Sequence, residues 1–236
     1  MGKFTVDPEF WALFPEARLE VLIVNNIKNQ CNEENAGYFT GLLSSAAKEA
    51  ANYLTEETFS QNQVINEWRQ AFGKFKTKKG ARSSLEALLK RVNQGRVFTP
   101  INPLVDIYNS ISLKYAVPCG GEDLHAIDGD MHLGKAKGGE PFMPLGATEN
   151  SPALPEEIIY YDGTGAICRC LNWREAQRTM LTDETKDAIL VIESVNSEQA
   201  ERAGRAIAEM KQLIDTYFGT ESIGKTVTKV NPTFHL

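Results

Sequence analysis

The sequence predicts an α+β fold, with a β-rich core of packed sheet layers covered by helices. Three observations carry this. Apolar residues recur at helical spacing between residues 36 and 92. Short apolar runs separated by Gly and Pro turns fill residues 119 to 194, and a further helical stripe follows from 197. Helical and strand-like stretches are thus segregated along the chain rather than alternating, the pattern of helices gathered on one side of a sheet.

In order, residues 8 to 18 read as a short helix or turn, and Leu19 to Val24 as a buried strand. Ala36 to Tyr53 forms a helix with Phe39, Leu42, Leu43, Ala46 and Ala50 on one face. Phe59 to Phe72 and Ser83 to Val92 form two more, stopped at Gly73 and Gly95. Asn102 caps a central helix and Pro103 takes its first position, where a missing N–H costs nothing. That helix ends at Val117-Pro118, because the residue before a proline avoids helical geometry. The Gly-rich turn CGGED follows, then strands at Leu124 to Ile127, Met131 to Ala136, Ile158 to Tyr161, Ala166 to Leu171 and Asp187 to Glu193. Ser197 caps a long helix to Phe218 with Gly219 behind it, and the tail from Ile223 carries alternation fit for an edge strand. With no long linker, the organisation expected is a single domain: 1–96 strand and helices, 97–194 core, 195–236 helix and tail.

The net charge of −6 argues against broad nonspecific nucleic-acid binding, which rests on Lys and Arg at phosphates. No apolar run is long enough to span a bilayer, and no apolar signal segment opens the chain, so a cytoplasmic protein away from membranes is expected. The four cysteines, Cys31, Cys119, Cys168 and Cys170, are then free thiols. Cys168 and Cys170 would share one face of their strand. No Gly-rich phosphate loop and no nucleophile elbow occur, so neither a nucleotide cofactor nor any other cofactor is expected.

Against the acidic background one basic cluster stands out: Lys74, Lys76, Lys78, Lys79 and Arg82, interleaved with Phe72 and Phe75. It is either a solvated inter-helix loop or a contact for RNA phosphates and bases. A second constellation is His125, Asp128, Asp130 and His132, which reads as a turn or as a metal site. A third is Asn172, Trp173, Arg174, Glu175, Arg178 and Thr179, a polar cluster leaving the end of a strand, where sites commonly form. Cys119 near His125 raises a nucleophile and base, though no sequence feature orients the pair.

Five segments occur in a telling order: INPLVDIYNSISLKYAVP, DLHAIDGD, the Gly139 to Pro141 turn, LPEEIIYYDGTGAI and LTDETKDAILVIES. Together they resemble the editing domain of the phenylalanyl-tRNA synthetase beta subunit, and more closely still the free-standing proteins built from that domain alone. The likeness covers roughly residues 97 to 194. It implies a three-layer arrangement with an unusual sandwich. It also implies hydrolysis of the ester joining a wrong amino acid to tRNA, acting in trans. The partner expected is a mischarged aminoacyl-tRNA, and the oligomeric state is left open. On this resemblance Leu124-His125-Ala126-Ile127-Asp128 supplies the pocket histidine, so His125 is the first catalytic candidate. Glycines after the strand and a glutamate just before the LTDET-like segment belong to the synthetase pattern; here Thr179, Met180 and Leu181 stand in that place. Glu175 is therefore the substitute carboxylate and second catalytic candidate. Asn109, Gly120, Gly121, Gly138, Gly139, Cys168, Cys170, Asn172, Trp173, Arg174, Arg178 and Thr179 are the substrate-binding candidates. Backbone N–H groups at the two glycine pairs are expected to steady the oxyanion. The alternatives are a non-catalytic tRNA or amino-acid binding module, and a metal-dependent hydrolase centred on residues 125 to 132.

Overall fold

A computed structural model describes residues 2–236. Two sheets organise the chain. The first has six strands in the order β10-β1-β4-β5-β6-β7, and the second four in the order β3-β8-β2-β9. The first sheet takes β1 (Lys3–Val6), β4 (Met131–Lys135), β5 (Ile158–Tyr161), β6 (Ala166–Arg169), β7 (Arg174–Glu175) and β10 (Thr233–His235). The second takes β2 (Arg18–Val24), β3 (Cys119–Asp123), β8 (Ala188–Ser194) and β9 (Ile223–Val227). Helices α1 (Pro8–Leu13), α2 (Glu33–Ala50), α3 (Gln63–Phe72), α4 (Ser84–Asn93), α5 (Pro103–Tyr115) and α6 (Ser197–Phe218) complete the structure.

Strand alternation explains the layers. On β2 and β8 the residues Leu22, Val24, Leu190 and Ile192 join a core with Leu104, Ile107 and Ile111 of α5 and with Ala203, Met210 and Ile214 of α6. Their neighbours Leu19, Val21, Ile23, Ile189 and Val191 point the other way, onto Phe4, Leu133 and Tyr160 of the first sheet. The second sheet is thus apolar on both faces, and its central strands read as continuous hydrophobic runs. Helices, second sheet and first sheet form three layers, and the α+β expectation holds.

The first sheet's outer face carries a smaller cluster, Ala136, Phe142, Ala153, Ile159, Ala166 and Ala176. A buried ion pair fastens the loop above it. Arg169 Nε and Nη2 donate to Glu157 at 2.8 and 2.5 Å, and Nη1 donates to the Ser151 carbonyl at 2.6 Å.

Several boundaries differ from the sequence expectation, each for a local reason. The Gly-rich turn at Cys119 is strand β3, because pairing with β8 satisfies its backbone. The strand expected at Leu124 to Ile127 is a 3-10 turn, Leu124–Ala126, which the Asp123 side chain caps through the His125 N–H. Asn196, not Ser197, caps α6 and accepts from the Gln199 N–H. Strand β1, unread in the sequence, pairs with β4 and β10.

Candidate functional site

The two sheets do not close completely on each other. Between them, beside α4, lies a cavity of about 360 Å³. Edge strand β3 and strand β8 form one wall. Residues Asn172 to Glu175, with Cys168 and Tyr160, form the wall opposite, and Ala87, Leu88 and Arg91 of α4 close a side. A volume of this size sits at the low end of small-molecule pockets, roughly 300–1,000 Å³.

Three carboxylates line this cavity: Glu122, Glu175 and Glu193. The register fixes two of them. Glu122 lies opposite Ile189, whose side chain faces the first sheet, so Glu122 faces it too. Glu193 continues the same face of β8 after Ile189 and Val191. Its Oε1 accepts from the Tyr160 hydroxyl at 2.9 Å and its Oε2 from Asn172 Nδ2 at 3.1 Å. Glu122 is 5% exposed, and its Oε2 has no hydrogen-bond partner. Glu175 enters from β7 over Gly120, where an added Cβ would stand 3.5 Å from Glu175 Oε1.

Burial dominates the electrostatics. It pushes the Glu122 carboxyl well above the usual carboxylate range, and neighbouring Glu175 pushes it further. It raises Glu175 to about 7 against the pull of the Gly121 backbone N–H. It raises Glu193 to about 7 against the hydrogen bonds from Tyr160 and Asn172. No ion pair involves any of the three among the described residues. Arg178, whose charge pulls against the rise of Glu122, is bonded to Asp162 at 2.5 and 2.8 Å. Arg91 and Arg174 line the cavity but are exposed.

Of the residues singled out in the sequence, Glu175, Asn109, Gly120, Gly121, Cys168, Asn172, Trp173 and Arg174 come together around this cavity. Cys168 points into it because β6 carries an extra residue at the Tyr160–Tyr161 register shift. Cys170 does not share its face. It sits at φ +50° beyond the strand end, and its Sγ accepts from the Lys78 N–H at 3.5 Å. Both thiols are held protonated by burial, with Cys170 pushed up to about 12. Arg178 and Thr179 stand outside the cavity lining, and Gly138 and Gly139 belong to the outer-face loop, where the Gly139 N–H bonds Ala153.

His125 also lies outside the cavity. It sits on the exposed 3-10 turn, and its Nε2 meets Asp187 Oδ2 at 2.5 Å. The other members of that constellation diverge. Asp130 pairs with Lys3, His132 with Asp7, and Asp128 accepts from the Thr164 hydroxyl. Among the described residues no group of three or more His, Cys, Asp or Glu is placed to hold a metal ion. Cys119 borders the cavity, but burial holds its thiol protonated, and its Sγ donates to the Val117 carbonyl.

The basic residues Lys74, Lys76, Lys78, Lys79 and Arg82 are all exposed, on the loop between α3 and α4. None of the five lines the cavity, but the loop runs into α4, whose Ser84 does. Lys78 contacts Cys170 through its backbone, and Ser84 at the start of α4 donates to the Asn172 carbonyl at 3.1 Å. Sequence reasoning read Glu122 inside the Gly-rich turn without giving it a role, and did not single out Glu193. A signal existed, since a glutamate on the inward face of the apolar run AILVIES has nowhere to go but a polar hole.

A family model described as the B3/4 domain matches residues 67–218, which hold every residue of the cavity lining named above. No curated protein matches the chain. Among solved structures, the crystal structure of an N-terminal fragment of the phenylalanyl-tRNA synthetase beta-subunit from Pyrococcus horikoshii is similar at 13% identity and a TM-score of 0.46. The match covers 94% of this chain and 49% of that one, so the chain spans about half that fragment's length. No helix among the described residues is long and apolar enough to cross a membrane.

Proposed function

The chain belongs to the B3/4 domain family, the family its sequence motifs resemble, and from that premise we propose that it hydrolyses the ester of mischarged aminoacyl-tRNA in trans. One observation carries the reading. A cavity of amino-acid size, about 360 Å³ and lined by a carboxylate raised to about 7, opens beside a loop bearing five exposed cations.

The acyl group enters the cavity, and the terminal nucleotide stays at the rim. There Trp173 offers a stacking face and Arg91, Arg174 and the lysine loop meet phosphates. Glu175 is the catalytic base. The Gly121 N–H steadies the carboxylate, which takes a proton from water as that water attacks the acyl carbonyl. The ester C–O bond then breaks and the ribose oxygen leaves, taking up a proton. A base raised to about 7 is matched to work at neutral pH, where it is partly ionised and still basic. The need for such an enzyme is physical. A synthetase pocket gains only about 1–3 kcal/mol from one methylene, so near-isosteric amino acids escape the first sieve.

The test is deacylation of a panel of mischarged tRNAs at substoichiometric protein. Release beyond one equivalent, slowed by roughly 100-fold or more in Glu175→Gln, is expected. Binding without turnover would replace the enzyme with a non-catalytic tRNA-binding module.

A further inference from the structure

None of the glycine N–H groups expected to steady the oxyanion is free to do so. On the outer face, Gly138 donates to Glu140 at 3.0 Å and Gly139 to the Ala153 carbonyl at 2.9 Å. On β3 the ladder decides. The Glu193 N–H bonds the Pro118 carbonyl and the Leu124 N–H bonds the Asp187 carbonyl. In that register every second residue of β3, Gly120 included, turns its N–H to β8. Gly121 turns its own away from β8, and that N–H steadies Glu175. The tetrahedral intermediate of the proposed hydrolysis therefore needs a donor from elsewhere.

Tyr108 is placed to be that donor. It packs in the helix-side core with Ile107 and Ile111 of α5, and α5 lies against edge strand β3. It nevertheless lines the cavity, while only 7% exposed. The cavity's other tyrosine, Tyr160, donates its hydroxyl proton to Glu193 at 2.9 Å. The Tyr108 hydroxyl has no partner among the described residues, and it is not one of the polar atoms that the fold seals from solvent. A buried tyrosine ordinarily finds a partner for its O–H. Here the partner must come from what enters the cavity.

The base stands beside it. Glu175 lies over Gly120 of β3, and it is the charged group that bears most on the Tyr108 hydroxyl. Burial, and after it the charge of Glu175, push the phenol well above its ordinary value. It therefore keeps its proton where Glu175 works, and it acts as a donor without ionising.

We propose that Tyr108 is a further catalytic residue of the hydrolysis, its O–H donating a hydrogen bond to the acyl carbonyl oxygen as negative charge gathers there. This deepens the deacylase reading and rests on it. The water oxygen bonds the acyl carbon, Glu175 takes the water's proton, and the carbonyl electron pair moves onto the oxygen that Tyr108 holds. The pair then returns, the ester C–O bond breaks, and the ribose oxygen leaves with the proton from Glu175. Tyr108 keeps its own proton throughout. A donor aimed at the place where charge develops stabilises the transition state more than the ground state.

The experiment is Tyr108→Phe, which removes one oxygen atom and no hydrogen bond within the protein. It uses the mischarged tRNA that wild type releases fastest. There kcat should fall by roughly 100-fold or more, while KM, tRNA affinity and Tm keep their wild-type values. That is the pattern of an interaction made only in the transition state. A kcat lowered by less than about tenfold overturns the assignment and leaves the deacylase standing. A fall in rate that comes with a raised KM or a lowered Tm marks a role in substrate binding or in folding, and overturns it as well. Wild-type protein that releases no acyl group from any tRNA removes the deacylase, and the role of Tyr108 with it.

Discussion

Replacing Glu193 by glutamine should remove part of the stability this protein loses as pH rises. Glu193 is 3% exposed, and both of its hydrogen-bond donors, the Tyr160 hydroxyl and the Asn172 amide, are neutral. Burial outweighs them and raises the carboxyl from 4.5 to about 7. The folded protein therefore keeps this proton up to about pH 7, whereas the unfolded chain loses it near 4.5. Between those values the folded state binds more protons, so stability falls as pH rises and levels off above 7. A shift of that size corresponds to about 3 kcal/mol at 1.36 kcal/mol per pH unit, of which about 2 kcal/mol falls between pH 5.5 and 8.5. Glutamine keeps an acceptor for Tyr160, does not ionise, and carries a pH-independent cost of about 1 kcal/mol for its altered contact with Asn172. Urea unfolding followed by fluorescence of the buried Trp68 gives both stabilities at the two pH values. The variant should gain about 2 kcal/mol on wild type in going from pH 5.5 to 8.5. A free-energy difference that stays constant across this range, or moves the other way, would refute the assignment of a raised Glu193.

Three further outcomes are expected. Glu157→Gln leaves the guanidinium of Arg169, itself 1% exposed, without its counter-charge, and should lower stability by about 3–5 kcal/mol in the same unfolding assay. Gly121→Ala drives a methyl group into Leu190 Cδ2 and to 3.0 Å from Leu181 Cδ1, and both leucines are buried, so a loss of about 1–3 kcal/mol is expected by thermal denaturation. Changing Lys74, Lys76, Lys78 and Lys79 together to alanine should weaken tRNA binding and flatten the log–log salt dependence by up to about 3, at about 0.7 per lost phosphate contact. An unchanged slope would move the RNA contact elsewhere.

The layers were legible in the sequence because they follow from periodicity. The runs VLIV and AILVI are apolar on both faces, and such strands must be covered twice. The helix caps at Asn102 and Gly219 announced themselves by residue type. The lining of the candidate cavity was legible in part. Asn172 to Glu175 could be read as a polar cluster at a strand end, and the structure brings all four to the cavity. Glu122 and Glu193 could not be read as neighbours of Glu175, because the β3–β8 register that places them is a long-range pairing with no local signature. His125 lies outside the cavity for a related reason. A strand through residues 124 to 127 would have aimed it inward or outward by alternation, but the Asp123 cap turns the chain there and hands its imidazole to Asp187.

The strand order of the second sheet, β3-β8-β2-β9, sets how this protein must fold. The central pair joins Arg18 to Ser194, so β2 waits for a strand made well over a hundred residues later. The first sheet likewise closes only when Thr233 to His235 reach Lys3 to Thr5. Every such loop must be closed before its contacts contribute, which makes the assembly slow. During synthesis the run Leu19 to Val24 therefore stands unpaired, an apolar β segment with only Glu20 to interrupt it. Productive folding depends on what shields that strand until β8 arrives, and the concentration at which the nascent chain is made will decide between sheet closure and self-association.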